Sequence, residues 1–169
     1  SSKNEAGPTA PDNSRSGEFQ IAYLEYLSEE FCDLKLENFK MVIDCANGAA
    51  SSLAPPLFEK FGAEVVAINC SPDGVNINKD CGSLHLERVQ AKVIEEKANF
   101  GVAFDGDADR SLFVDEKGNL VDGDAVLWIM AQFLSEHGRL INDTVVATVM
   151  SNIGLELALN SRNIKLIRA

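Results

Sequence analysis

Three carboxylates stand at alternate positions of one short loop: Asp105, Asp107 and Asp109, separated by Gly106 and Ala108 and followed at once by Arg110. Only small intervening residues would let all three fold around one point. Like charges held so close repel unless a cation joins them, so at least one carboxyl should titrate high while no ion is bound. Oxygen-only donors suit a hard cation, Mg2+ before Mn2+ or Ca2+. An arginine directly behind three metal ligands is odd in a purely structural site and suits one that also handles an anion such as phosphate. A solvated acidic turn is the plainer reading of most Asp-rich stretches, but here the loop lies between two apolar segments, 100–104 and 111–114. An EF-hand loop shares the three aspartates, and Glu116 falls at its twelfth place. Its sixth place, however, is Arg110, where that loop needs glycine, and the flanks read as strands. A phosphatase forming an aspartyl phosphate would use Asp105 as nucleophile after the same kind of strand. Its usual threonine or valine after the second aspartate is missing, with alanine at 108; it stays as a minor alternative.

Other residues of reactive type read more plainly. Asn47 and Gly48 form a turn pair that could also face a cleft, because the loop leads to a helix start. Ser83 reads as a helix cap and not as a nucleophile, and His85 as a surface or packing residue. Cys45 and Cys81 read as small buried hydrophobes. Asp122, Gly123 and Asp124 imitate a second metal loop, but their place before a helix favours capping by Asp122. Trp128 and Phe133 fall on a helix apolar nearly all round and read as core. The four cysteines (Cys32, Cys45, Cys70, Cys81) show no CxxC spacing, which fits a reducing cytoplasm and no zinc site.

The elements that must position the acidic loop follow from length and pattern. A chain of 169 residues, 46% hydrophobic and 24% charged, is long enough to bury a core. Its net charge of -11 argues against a nucleic-acid backbone or an anionic membrane surface as the main partner. No apolar run approaches the roughly 20 residues that span a bilayer, and the polar start lacks the pattern of a secretory signal. Residues 1–17 are small and polar and read as a disordered tail or linker. Residues 18–34 place Phe19, Ala22, Tyr23, Tyr26, Leu27 and Phe31 at helical steps. Strands are expected at 41–45, 64–68, 100–104, 111–114, 120–121, 143–150 and 164–167. Helices are expected at 53–61, 83–97, 124–137 and 153–160. Strands alternating with helices imply an α/β fold, a layered, largely parallel or mixed sheet with helices on both faces. Ligands of such sheets sit beyond the carboxyl ends of the strands, where the acidic loop lies. A second, incomplete α/β unit is expected to follow.

Residues 105–110 resemble the metal-binding loop of the α-D-phosphohexomutases. The stretches VIDCANGAA (42–50), NINKDCGSLH (76–85) and VVATVMSNIGLE (145–156) most resemble the phosphoglucosamine mutase branch of that family. The similarity runs from about Tyr23 to the C-terminus with all four stretches in order. It implies four domains around one cleft, supplying in turn a phosphorylated serine, the metal loop, a sugar-contacting loop and a phosphate-binding loop. It implies Mg2+ held by Asp105, Asp107 and Asp109 with a phosphoserine oxygen, and Arg110 as a catalytic residue against the transferring phosphoryl group. The implied substrate is a hexosamine phosphate, glucosamine 6-phosphate exchanged with glucosamine 1-phosphate through a bisphosphorylated sugar. A phosphomannomutase or phosphoglucomutase, or a free-standing divalent-metal module, is the alternative. On this resemblance residues 18–120 are the second domain and 121–169 the incomplete start of the third. No serine here sits in a family-like phosphoserine loop, so the chain alone is expected to be inactive, in a cytoplasmic protein, and to self-associate through uncovered residues after 121.

Overall fold

The computed structural model describes residues 13–169. The expected tail lies mostly outside the described residues, and its last members, Ser16 and Gly17, already belong to helix α1 (Ser16–Glu30). The helix stops short of residue 34. Glu29 and Glu30 bring negative charge to the negative end of the helix dipole, and no basic residue sits in the last turn. Its apolar side is not covered as the pattern predicts: Phe19, Tyr23, Tyr26 and Phe31 are exposed, and Leu24 and Leu27 are half-buried.

The centre of the molecule is a five-stranded sheet in the order β2-β1-β3-β4-β5. Strand β1 (Lys40–Asp44) pairs in parallel with β2 (Glu64–Ile68) and β3 (Phe100–Phe104). Strands β4 (Ser111–Asp115) and β5 (Leu120–Val121) add antiparallel neighbours. The sheet is therefore mixed, because the links 105–110 and 116–119 are too short for a crossover. Met41, Val42 and Ile43 are all buried, the unbroken apolar run of a strand covered on both faces. Helix α2 (Ala54–Lys60) covers one face, where Ala54 and Phe58 meet Met41, Ile43 and Val102. Its two prolines lie in the first turn, where no intrahelical N–H is needed. Helix α3 (Glu87–Glu96) covers the other, with Val89 and Val93 against Val42, Ala103 and Val114.

A second unit follows. Helix α4 (Gly123–Glu136) and α5 (Ile153–Asn160) pack with a parallel pair, β6 (Thr144–Ala147) and β7 (Lys165–Arg168). Ala131, Val145, Leu155, Leu159 and Ile164 form its core. Strand β6 is shorter than the expected 143–150, because Thr148 accepts backbone N–H bonds from Met150 and Ser151 and turns the chain. Among the described residues no helix is long and apolar enough to cross a membrane.

Candidate metal centre

The acidic loop joins β3 to β4 at the carboxyl edge of the parallel strands. The backbone N–H of Asp105 donates to the carbonyl of Arg110 (3.2 Å), and that of Ala108 to the carbonyl of Asp105 (3.1 Å). Ala108 takes a left-handed φ of 60°, which closes the turn. Asp105 is buried, whereas Asp107 and Asp109 are exposed. One carboxylate oxygen from each lies within 4.8 Å of the other two. Neighbouring oxygens around six-coordinate Mg2+, bound at about 2.1 Å, stand about 3 Å apart. Side-chain rotation at the two exposed aspartates can supply that closure, so the donor set fits a hard divalent cation.

Arg110 alters the electrostatics expected of the trio. Its backbone N–H donates to Asp105 Oδ1 (3.1 Å) and its Nε to Asp105 Oδ2 (2.8 Å), with Asp109 Oδ1 3.4 Å from the same Nε. Burial pushes the Asp105 carboxyl upward, but the N–H, the guanidinium hydrogen bond and the charge of Arg110 together hold it below its usual value. The carboxyl at the root of the loop is thus lowered and not raised, because the arginine serves as its counter-ion. The Arg110 side chain stays 70% exposed, leaving the outer edge of its guanidinium to solvent.

The loop after β1 backs the acidic loop, since the two strands are parallel neighbours. Ala49 donates its N–H to the carbonyl of Gly106 (2.8 Å), and a Cβ at Gly48 would collide with that carbonyl. Asn47 (φ 49°) makes the turn, and its side chain accepts from the N–H of Ser71 (3.1 Å). Both Asn47 and Gly48 also line a cleft of about 400 Å³ shared with Pro72, Ile77, Gly106 and Asp107.

Ser83 does not cap α3. It lies buried in a 3-10 turn, Gly82–Leu84, and the residue before the helix is Leu86, with no side-chain cap. His85 is exposed just beyond that turn. Cys45 and Cys81 are buried, and burial, then the charge of neighbouring groups, pushes the Cys45 thiol up to about 12. Asp122 caps α4 by accepting from the N–H of Ala125 (2.9 Å), and Asp124 accepts from that of Asn152 (2.9 Å), so both carboxylates serve backbone. Trp128 packs at the second core, but Phe133 is 52% exposed and stacks on His137 with ring centroids 4.2 Å apart. Helix α4 is apolar nearly all round, while α5, β6 and β7 cover only one side of it. One buried carboxylate, Asp44, carries no role in the sequence reading; the sign of it was a charge ending an otherwise apolar segment.

Fold and loop together define a mixed α/β domain with an oxygen-only acidic cluster and an arginine at the carboxyl edge of its sheet. The sequence model "Phosphoglucomutase/phosphomannomutase, alpha/beta/alpha domain II" matches residues 21–118, and that for domain III matches 122–169. The chain belongs to the phosphoglucomutase/phosphomannomutase family. It is 55% identical over 149 residues to the phosphoglucosamine mutase of Caldicellulosiruptor saccharolyticus, covering 88% of this chain and 33% of the relative. It is 53% identical over 147 residues to that of Alcanivorax borkumensis, covering 87% and 33%. Among solved structures, a phosphoglucomutase/phosphomannomutase family protein of Burkholderia thailandensis superposes with a TM-score of 0.71 at 28% identity, covering 89% of this chain and 33% of that one. The N-acetylphosphoglucosamine mutase of Aspergillus fumigatus, solved with GlcNAc-6P and magnesium, shares the fold at a TM-score of 0.67 and 20% identity, covering 89% and 34%. The chain spans about a third of the length of the curated relatives it matches.

Proposed function

We propose that these residues are the metal-bearing part of a cytoplasmic phosphoglucosamine mutase that interconverts glucosamine 6-phosphate and glucosamine 1-phosphate. The 55% identity to a relative of that name carries the choice of reaction. Asp105, Asp107 and Asp109 would hold Mg2+, the convergence of their oxygens within 4.8 Å being the support. Bound there, the ion supplies charge neutralisation beside a transferring phosphoryl group. Arg110 is the catalytic residue of this chain. Asp105 grips its Nε and leaves the rest of the planar guanidinium to meet phosphoryl oxygens, a geometry lysine does not reproduce. The loop's domain takes residues 18–120, and 121–169 open the next, in keeping with core clusters that divide between Val114 and Ala131.

Phosphoryl transfer also needs a group to give and take the phosphoryl and contacts that hold the sugar in line, and orientation alone can be worth roughly 7–11 kcal/mol of barrier. The 169-residue chain by itself therefore turns over no sugar phosphate. Two measurements test the reading. Mg2+ at ten times its Kd should stabilise the chain by about 1.4 kcal/mol, seen as a rise in melting temperature, and Asp107→Asn should lose most of it. A melting curve unmoved by millimolar Mg2+ would count against the metal site. In a full-length protein containing these residues, Asp105→Ala should cripple turnover of glucosamine 6-phosphate. Faster turnover of glucose or mannose phosphate by the unsubstituted protein would reassign the substrate.

A further inference from the structure

Asp44 ends β1 with a carboxylate that is 0% exposed. A buried carboxylate persists where donors replace the water it gives up. Its Oδ1 accepts the N–H of Ala46 (2.9 Å), and its Oδ2 accepts both Asn69 Nδ2 (2.9 Å) and the N–H of Gly82 (3.1 Å). Asn69 Oδ1 in turn takes a guanidinium N–H of Arg88 (3.3 Å), so a surface cation is linked to the buried charge through one amide. The three donors come from three separate segments: the loop after β1, the loop after β2, and the turn before α3.

Each of these segments presses on the start of the acidic loop. Ala46 and Asn47, both left-handed at φ 52° and 49°, swing Gly48 and Ala49 onto Gly106. The carbonyl of Ala46 accepts the N–H of Asn78 (2.9 Å), which brings Asn78 and Ile77 to the other side of Gly106; a Cβ there would lie 2.7 Å from either side chain. Gly82, at φ 75°, sits so close beneath Phe104 that a Cβ would stand 2.5 Å from its carbonyl oxygen. Residues 104–106 are thus held from three directions: by Gly48 and Ala49, by Gly82, which donates to Asp44, and by the side chains of Ile77 and Asn78, tied to Asp44 through Ala46.

We propose that Asp44 is a positioning residue for the acidic loop, its carboxylate setting the three segments against which Phe104, Asp105 and Gly106 rest. The consequence for cation binding rests on the metal reading above; the consequence for the loop's rigidity does not. Asparagine at 44 keeps the shape, but its NH2 would face donors where Oδ2 now accepts. Asn69→Gly removes one donor and tolerates the left-handed φ of 49° at that position.

The test compares Asp44→Asn and Asn69→Gly with Val93→Ala, a core change on the same face of the sheet but beside Gly101, near the amino end of β3 and away from the acidic loop, all in the 169-residue chain. Without metal, amide exchange at Ala49 and Ala108 should quicken at least about tenfold in the first two beyond what their melting points predict from Val93→Ala. The Kd for Mg2+ should rise about tenfold in Asp44→Asn, the low end for groups that support metal ligands, and stay within about twofold of wild type in Val93→Ala. Exchange that merely tracks global stability, or a Kd within about twofold of wild type in Asp44→Asn, would overturn the proposal. If Asp44→Asn does not fold, Asn69→Gly decides alone. If the wild type binds no Mg2+, the metal reading falls, and exchange at Ala49 and Ala108 still decides the role of Asp44.

Discussion

Arg110 reaches back five residues to Asp105, and this one pairing changes what the loop is before any ion arrives. Three carboxylates in a row are legible in the sequence as a cation site, because spacing and small neighbours carry that signal. The counter-ion role of Arg110 was not legible, because it depends on a turn at Ala108 that brings Nε to Oδ2. Asp44 was hidden for a similar reason: Asn69 and Gly82, which donate to it, lie 25 and 38 residues away. The arginine's role has a titration consequence. Asp105 is held below its ordinary value, so its share of stability is present above the unfolded carboxyl value near 4 and fades as pH falls through the folded one. Arg110→Met removes the cation and keeps the burial and the backbone N–H of residue 110, so the Asp105 midpoint should move up from its depressed value. Carboxyl-carbon chemical shifts followed against pH in metal-free protein would show it; an unmoved midpoint would deny Arg110 the counter-ion role.

At the scale of elements, strand and helix positions were largely legible because each segment's apolar pattern agrees with its place in the sheet. The misses have tertiary causes. The start of α3 moved from 83 to 87 because Gly82 is drawn to Asp44, and α1 formed without the cover its pattern promises. A charged cluster at the amino end of β1 was not visible in sequence either. Lys40 Nζ lies 3.0 Å from Glu64 and 2.8 Å from Glu96, and Lys92 reaches the same Glu96 at 2.9 Å. Hydrogen bonds from Lys40, then Lys92, pull the Glu96 carboxyl down to about 2. A depressed carboxyl adds stability above its unfolded value and loses it as pH drops through the folded one, so the window runs from about 4.5 down to about 2. Glu96→Gln should therefore lower the urea midpoint at pH 7, and the gap from wild type should close on acidification across that window. Because the groups are solvent-screened the effect is modest. A gap constant from pH 7 to pH 2 would mean that the cluster does not couple to folding.

For the molecule as a whole, the uncovered surfaces matter as much as the packed ones. Ile129, Met130 and Phe133 on α4 are 57%, 55% and 52% exposed, although the helix also carries the second core. Beside them a groove of about 360 Å³ runs between the units, lined by Phe100, Phe113, Val121 and Val126. Apolar patches of this kind are uncommon on monomers and promote association. The 169-residue chain should therefore self-associate at micromolar concentration, with α4 in the contact. Sedimentation velocity over about 1–100 µM gives the check, and Ile129→Glu with Phe133→Glu should shift the population toward monomer while leaving the Mg2+ response intact. The two substitutions lie on exposed positions away from residues 105–110, so a lost Mg2+ response would signal unfolding and not a broken contact. A monomer at every concentration would show that the α4 face is tolerated in water, and that the second unit needs no further covering to stay dispersed.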